Sequence, residues 1–271
     1  MQNREESEME AVLEAVIAAA KACGERMLQA KKIESSVSEK EGNGNFVTKY
    51  DEENQAYLRK ELLRICPGAR FIGEEDAKRE DPGVGEAFVV DPIDGTLNFI
   101  RHYGRSAVSI ALLQNGEPVL GVVHDPYLAE TFSAILGKGA TCNGNPIRVS
   151  SRPLCKGVAG VGTAPYYPEL SAVTVQMVGT LFQNALDIRR SGSAALDLCD
   201  AACGRYDLFV ETRLSPWDHA AGALIVREAG GKTSTMEGGP LPFDRPCSIV
   251  AGNPAAYADY WKLSIPAPDA D

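Results

Sequence analysis

The sequence predicts an α+β fold in two halves, residues 1–150 and 151–271. Three patterns predict it: a long helical repeat at the start, strand-like runs punctuated by turn pairs between residues 106 and 149, and alternation of strand and helix after residue 151. Met9, Val12, Leu13, Val16, Ile17 and Ala20 follow the i, i+3, i+4 spacing that gathers apolar groups on one helical face, so the first helix is expected to end near Lys32. A polar loop containing Gly42-Asn43-Gly44-Asn45 follows. Residues 51–64 have helical character and stop at Pro67-Gly68, while 69–72 and 87–90 read as short apolar strands that each run into acidic residues. SAVSIALL, PVLGVV and TFSAIL, set between Asn115-Gly116, Asp125-Pro126 and Asn143-Gly144, read as antiparallel sheet. In the second half, strands near 157–161, 188, 206–211, 232–235 and 248–251 alternate with helices near 170–182, 194–202 and 217–228. Asn253-Pro254 supplies an N-cap and a first-turn proline for a last helix.

A formal charge of -10 over 271 residues repels nucleic acid and anionic membranes at long range, so neither is expected as a partner. The same charge repels a phosphate ester. An anion site here therefore needs local cations to invert the field. MQNREESEME is polar, and the apolar stretch behind it is too short and too broken by charge for a signal peptide or a membrane span; a cytoplasmic location is expected. The seven cysteines form no CxxC and read as small buried hydrophobes. Cys199 and Cys203 lie one helical turn apart, but no histidine stands near them in sequence to complete a zinc site.

The sharpest motif is Asp91-Pro92-Ile93-Asp94-Gly95-Thr96, expected where the strand AFVV ends and a turn begins. Pro92 and Gly95 constrain the backbone so that two carboxylates three residues apart can face one point, with the Ile93 carbonyl turned toward it. Two carboxylates and a carbonyl are hard oxygen donors, suited to Mg²⁺ rather than to zinc or copper. An isolated DxxD is more often a pair of turn formers. Two further acidic sites change the balance: Gly73-Glu74-Glu75 closes another strand, and Trp217-Asp218 opens a helix after Pro216. Each also has a plain structural reading, a solvated loop face for the glutamates and attraction to the positive helix end for Asp218. Thr48-x-x-Asp51 has the spacing of a capping box, and Thr96 is placed to cap the turn after Asp94-Gly95. The Gly95 and Thr96 amides, at a helix N-terminus, suit phosphate oxygens. Gly192-Ser193-Ala194 begins a helix, and Glu211 is expected to end a strand seven residues before Asp218.

In order and approximate spacing, GEE at 73–75, DPIDGTLNF at 91–99, GKGATCNGNPI at 137–147, SGSAALDLCDAACGRYDLFVE at 191–211 and SPWDHAAGALIVREAGG at 215–231 resemble the signatures of the inositol monophosphatase family of metal-dependent phosphomonoesterases. The resemblance covers most of the chain from about Lys40 to Gly252. It implies a layered α/β/α/β/α sandwich of the sugar-phosphatase type, with an antiparallel-rich first sheet and a mixed second sheet. Residues 1–150 would carry most metal ligands, and 151–271 the substrate side and Asp218. It also implies hydrolysis of a small phosphate monoester, inositol monophosphate first, by water activated on two to three Mg²⁺ ions. Mn²⁺ as a substitute ion, sensitivity to lithium and a homodimer belong to the same expectation.

Carried over by position, the resemblance makes Glu74, Asp91 and the Ile93 carbonyl ligands of one metal. Asp94 and Asp218 complete a second site that shares Asp91, and Glu75 supports these or a third, water-rich site. Lys40 stands at the edge of the cluster and Trp217 orients Asp218. Asp51 and Thr96 lie near the attacking water and act in catalysis with Glu74. Asp94, Gly95, Thr96, Gly192, Ser193, Ala194, Glu211 and Asp218 face substrate, with Glu211 as acceptor and the Ala194 amide as donor to the leaving alcohol. Relatives with this ligand set act instead on fructose bisphosphate, histidinol phosphate or bisphosphorylated nucleotides. LNF after DPIDGT favours the inositol branch, whereas Arg189, Arg190 and loop 164–169 are placed to grip a second phosphate or an amine. His219 replaces the usual aliphatic residue and reads as a packed neighbour of Asp218. A non-catalytic phospholigand-binding protein on the same fold would be marked by a lost ligand, and every expected acid is present.

Overall fold

A computed structural model describes residues 2–39, 46–76 and 81–268. The chain opens with α1 (Gln2–Gln29), then β1 (Val37–Glu39), β2 (Phe46–Thr48) and α2 (Lys49–Ile65). β3 (Arg70–Gly73), β4 (Glu86–Asp94), the short α3 (Thr96–Ile100), β5 (Ala107–Gln114), β6 (Glu117–Asp125), β7 (Glu130–Ile135), β8 (Ala140–Cys142) and β9 (Asn145–Pro146) complete the first part. The second contains β10 (Val158–Val161), α4 (Ser171–Asn184), β11 (Asp187–Arg189), α5 (Ala194–Ala202) and β12 (Leu208–Leu214). It closes with α6 (Pro216–Glu228), β13 (Lys232–Ser234), β14 (Cys247–Gly252) and α7 (Pro254–Tyr260).

Side-chain alternation sets the layers. On β4 and β5, Phe88, Val90, Val108, Ile110 and Leu112 face a core shared with Val16, Ala20, Cys23 and Met27 of α1 and Leu58 and Leu62 of α2. The alternate residues Ala87, Val89, Ala107, Ala111 and Leu113 face a second core, built with α5 and α6. Both faces of this sheet are covered, so its strands read as continuous apolar runs. β3 to β9 lie in sequence order, with β3–β4 parallel and the rest antiparallel.

The second sheet runs β11-β10-β12-β14-β13 and is mixed, with parallel pairs on either side of β10 and antiparallel pairs on either side of β14. Phe209, Ile249 and Ala251 join the α5/α6 core, while Leu208, Val210 and Val250 face Met177 and Leu181 of α4 and Tyr260 of α7. The result is the expected order of five layers: α1/α2, seven-stranded sheet, α5/α6, five-stranded sheet, α4/α7. Small residues allow the middle layer to be thin: Ala194, Ala195, Ala201, Ala202, Ala220, Ala221 and Ala223 are all buried there.

Three local expectations change. α1 stops at Gln29 rather than near Lys32, where the backbone turns left-handed before a 3₁₀ turn at Ile33–Ser36. The segment read as a polar loop contains the antiparallel β1–β2 pair, too short to show an alternating pattern. The Gly42-Asn45 loop itself and Lys40 fall outside the described residues. β4 does not end before Asp91 but continues to Asp94 with a break in its register against β5 between those two residues. Pro92 offers no N–H to the ladder, and a bulge is where a strand tolerates that.

Candidate active site

The bulge in β4 makes the acidic motif converge. A regular strand would place Asp91 and Asp94, three residues apart, on opposite faces. The register break turns both carboxylates toward the N-terminus of α6, and oxygens of Asp91, Asp94 and Asp218 all lie within 4.8 Å of one another. Gly95 follows at φ 83°, a left-handed conformation natural to glycine, and a Cβ there would come 3.0 Å from the Gly192 carbonyl and 3.1 Å from that of Arg105. This close approach brings β4 against the start of α5.

Each carboxylate is held by neutral donors. Asp91 Oδ1 accepts the Ile93 amide at 2.9 Å, Asp218 Oδ2 accepts the Ser215 amide at 2.7 Å in a capping box that opens α6, and Asp94 Oδ2 accepts the Ala195 amide at 3.0 Å and the Ser193 hydroxyl. Among the described residues, no lysine or arginine pairs with these three acids. Burial, then the neighbouring Glu74, Asp94 and Asp218 charges, push the Asp91 carboxyl well above its ordinary range. Asp218 is raised likewise by burial, Glu74 and Asp94, and Asp94 by burial to about 6, against the pull of Ser193 and the Ala195 amide. Clustered acids that repel one another, with carboxylate oxygens gathered within reach of one point, fit a hard divalent cation.

Asp51 and Thr96 stand behind the cluster. Asp51 is fully buried; its Oδ2 accepts the Thr48 amide at 2.7 Å and the Thr48 hydroxyl at 2.5 Å, closing the capping box of α2. Its Oδ1 lies 3.3 Å from the Thr96 hydroxyl, which also reaches the Ile93 carbonyl at 3.1 Å. The capping and proton-relay readings of Asp51 are therefore compatible, because each uses a different oxygen.

Asp91, Asp94, Asp218 and Thr96 border a cleft of about 220 Å³, with Glu74, Gly95, Ala194, Glu211 and Trp217 in its wall. Gly192 and Ser193 lie there too, Ser193 as N-cap of α5. Trp217 is buried, and its carbonyl accepts the Ser109 hydroxyl at 3.0 Å, fixing the start of α6 to the first sheet. Glu211 does not end a strand: β12 runs on to Leu214, and the side chain is buried with Oε1 accepting the Ala164 amide at 3.0 Å. Burial raises its carboxyl to about 7. Glu75 is outside the cleft wall, with its amide bonded to Gln55 at 2.9 Å. His219 is buried against Phe243, its Nε2 3.6 Å from Cys247 Sγ, and burial lowers it to about 3.

Two wall residues, Asp197 and Arg213, were missed from the sequence, and Tyr166 and Tyr167 were covered only as part of loop 164–169. Arg213 had a usable signal. It follows Glu211 by two residues on one strand, which places both on the same face. Tyr166 and Tyr167 lie in loop 164–169, where no periodicity announces a direction.

Five layers with a cluster of carboxylates between the two sheets define a sugar-phosphatase-type sandwich. The chain belongs to the inositol monophosphatase family, whose profile matches residues 8–264. It is 41% identical over 214 residues to the Nus factor SuhB of Escherichia coli (strain K12), covering 79% of this chain and 80% of that one. It is 31% identical over 235 residues to the inositol-1-monophosphatase of Bacillus subtilis (strain 168), covering 86% and 89%. The crystal structure of the extragenic suppressor protein suhB from Bartonella henselae superposes with a TM-score of 0.86 at 34% identity, over 93% of this chain and 97% of that one. Among the described residues no helix is long and apolar enough to cross a membrane.

Proposed function

We propose that this chain hydrolyses a small phosphate monoester, with inositol monophosphate as the first candidate and Mg²⁺ as the cation. The observation that carries the reading is the Asp91, Asp94 and Asp218 cluster, closed on one side by the Thr96–Asp51 pair and open on the other to the cleft. Glu74, Asp91 and the Ile93 carbonyl would hold one cation; Asp94 and Asp218, with Asp91 in common, would hold the second. Such ions supply charge neutralisation at the phosphoryl group and acidify bound water. Mn²⁺ is the expected substitute ion, and lithium, similar in size with half the charge, the expected inhibitor.

The protein's own groups then have defined tasks. Thr96 Oγ1 passes a proton from the attacking water to Asp51 Oδ1, a buried acceptor already oriented by Thr48. The Gly95 and Thr96 amides face phosphate oxygens. Glu211 accepts a hydroxyl of the leaving alcohol, and the start of α5 holds Asp94 in place. Asp218, fixed by Ser215 and by Trp217 on the first sheet, keeps its carboxylate aimed at the cluster.

The test is phosphate release from inositol monophosphate, fructose bisphosphate, histidinol phosphate and a bisphosphorylated nucleotide at saturating Mg²⁺. Asp94→Asn and Asp218→Asn are expected to lose at least about 10³-fold in kcat while remaining folded, since each removes a cation ligand and little packing. Wild-type rates in either variant would refute the assignment. A second reading, binding of a phospholigand or partner without turnover, draws on the likeness to proteins named Nus factor SuhB. The complete acid set and the Thr96–Asp51 pair favour turnover. Magnesium binding without phosphate release from any of the four esters would favour the second reading.

A further inference from the structure

The turn that brings Glu74 to the cleft is held by side chains outside the acid cluster. Glu74 borders the cleft and Glu75 does not, so the backbone here fixes which of two adjacent carboxylates reaches the cation site. Asp76 closes this turn twice. Its amide donates to the Gly73 carbonyl at 3.3 Å, and its Oδ2 accepts the Gly73 amide at 2.8 Å. The two glutamate amides are drawn to different elements: that of Glu74 donates to the Val90 carbonyl of β4 at 3.1 Å, and that of Glu75 to Gln55 Oε1 of α2 at 2.9 Å.

Gln55 ties the turn together from the other side. While its Oε1 accepts from Glu75, its Nε2 donates to Asp76 Oδ1 at 3.1 Å. A carboxylate only accepts and a backbone N–H only donates, so these partners fix which end of the Gln55 amide is which. The fit is close. Gln55 is buried, and a Cβ on Gly73 would stand 2.1 Å from its Oε1. Arg59 pairs with Asp76 Oδ1 and lies over the Phe71 ring, 4.2 Å from its centroid. Its charge offsets that of Asp76, so the fastening adds no net charge beside a site that already gathers acids. Asp51, Gln55 and Arg59 are spaced i, i+4, i+8 along α2, and one helical face thereby serves both the Thr96–Asp51 pair and the Glu74 turn.

A solvated acidic turn would leave its amides to water. Here all four amides from Gly73 to Asp76 have acceptors within the protein. We propose that Gln55 and Asp76 are positioning residues for the first cation: they orient the Gly73–Asp76 turn so that Glu74, rather than Glu75, is presented to the cluster. The inference rests on the phosphatase reading and extends it from the groups that would touch the cation to the pair that aims one of them. A ligand already ordered loses less freedom when the ion arrives, so releasing the turn should weaken the ion and not the substrate.

The experiment measures Mg²⁺ binding by calorimetry, and kcat and KM for inositol 1-phosphate as Mg²⁺ is varied, in the wild type, Asp76→Asn, Gln55→Met and the double variant. Asp76→Asn keeps the shape but turns one acceptor into a donor, and Gln55→Met keeps the length without either polar end. Each single variant is expected to bind Mg²⁺ roughly 10- to 100-fold more weakly and to need that much more for half-maximal rate. At saturating Mg²⁺, kcat and KM should stay within about 3-fold of wild type. The double variant should lose little beyond the more affected single one, because both residues act through one network. Melting in chelator is recorded alongside. A variant that melts lower in chelator yet binds Mg²⁺ as the wild type does overturns the proposal and leaves a purely structural role. Losses that add in the double variant, or a KM change with Mg²⁺ affinity intact, overturn it too. Should Gln55→Met fail to fold, Asp76→Asn decides alone, since that side chain is half-buried and the change is isosteric. Failure of the phosphatase reading is distinct: the wild type then binds Mg²⁺ but releases no phosphate, and the calorimetry still decides. A wild type that binds no Mg²⁺ overturns both.

Discussion

Glu211 sits in the cleft wall as a buried acid whose ordinary value of 4.5 is raised to about 7, first by burial, with the Ala164 amide and Arg190 pulling the other way. A carboxyl that binds its proton more tightly folded than unfolded stabilises the fold at low pH. That contribution is complete below about pH 4.5 and is lost as pH rises through about 7. Glu211→Gln keeps an oxygen for the Ala164 amide but cannot ionise. Measured without divalent ions, it is therefore expected to melt close to wild type at pH 5 and to be more stable at pH 8, by about 1–3 kcal/mol. In turnover the same variant should lose more on a hydroxyl-rich ester than on an aryl phosphate. Equal melting differences at both pH values would mean that the site is wetter than its burial indicates. At this scale the sequence was generous with acids and silent on direction. Asp51, Asp91, Asp94 and Asp218 could be picked from motif spacing, whereas Tyr166 and Tyr167 could not, because a loop has no repeat to say which way a ring points.

Elements were legible where a chemical signal marks an end. Thr48 before α2 and Asn253 before α7 cap as their spacing suggests, with two amides bonded to Asn253 Oδ1 at 2.9 Å, and α6 opens where Pro216 and Asp218 place it. Strand ends inside acidic motifs were not legible, since both β4 and β12 continue through register breaks that no hydrophobic pattern encodes. The packing between elements was hidden as well. Gly121 on β6 reads as a neutral gap in an apolar run, yet a Cβ there would stand 2.8 Å from the Ala221 carbonyl oxygen and 3.1 Å from its Cα. Backbone cannot rotate aside as a side chain does, so Gly121→Ala must push α6 off the first sheet. An overpacked contact of this kind costs about 1–3 kcal/mol. Because Asp218 rides on the first turn of α6, turnover should fall along with the melting temperature. A Gly121→Ala enzyme with wild-type melting and wild-type rate would show that the layer has slack.

At the scale of the whole molecule, the site exists because the α5/α6 layer is shared. Asp91 and Asp94 come from one sheet, Glu211 from the other, and Ser193 and Asp218 from the two helices between them. No local pattern could join residues more than a hundred positions apart; the ordered signatures did so through family resemblance, and physics alone would have left a set of separate acidic turns. This convergence also makes the metal-free protein pay an electrostatic penalty that rises with pH. Asp91, Asp94 and Asp218 all hold their protons above the ordinary carboxylate range, Asp94 to about 6. Without cations the stability they contribute is present at low pH and is lost as pH climbs through those raised values. A divalent ion held by the ionised cluster, as proposed, would reverse the loss. Mg²⁺ at about 100 times its Kd should add roughly 2.7 kcal/mol, a rise of some 5–10 °C in melting temperature for a chain of this size. The shift, measured against a chelator, is expected to be large at pH 8, small at pH 5, and strongly reduced in Asp94→Asn. A magnesium shift that is independent of pH, or that survives intact in Asp94→Asn, would place the stabilising ion somewhere other than this cluster.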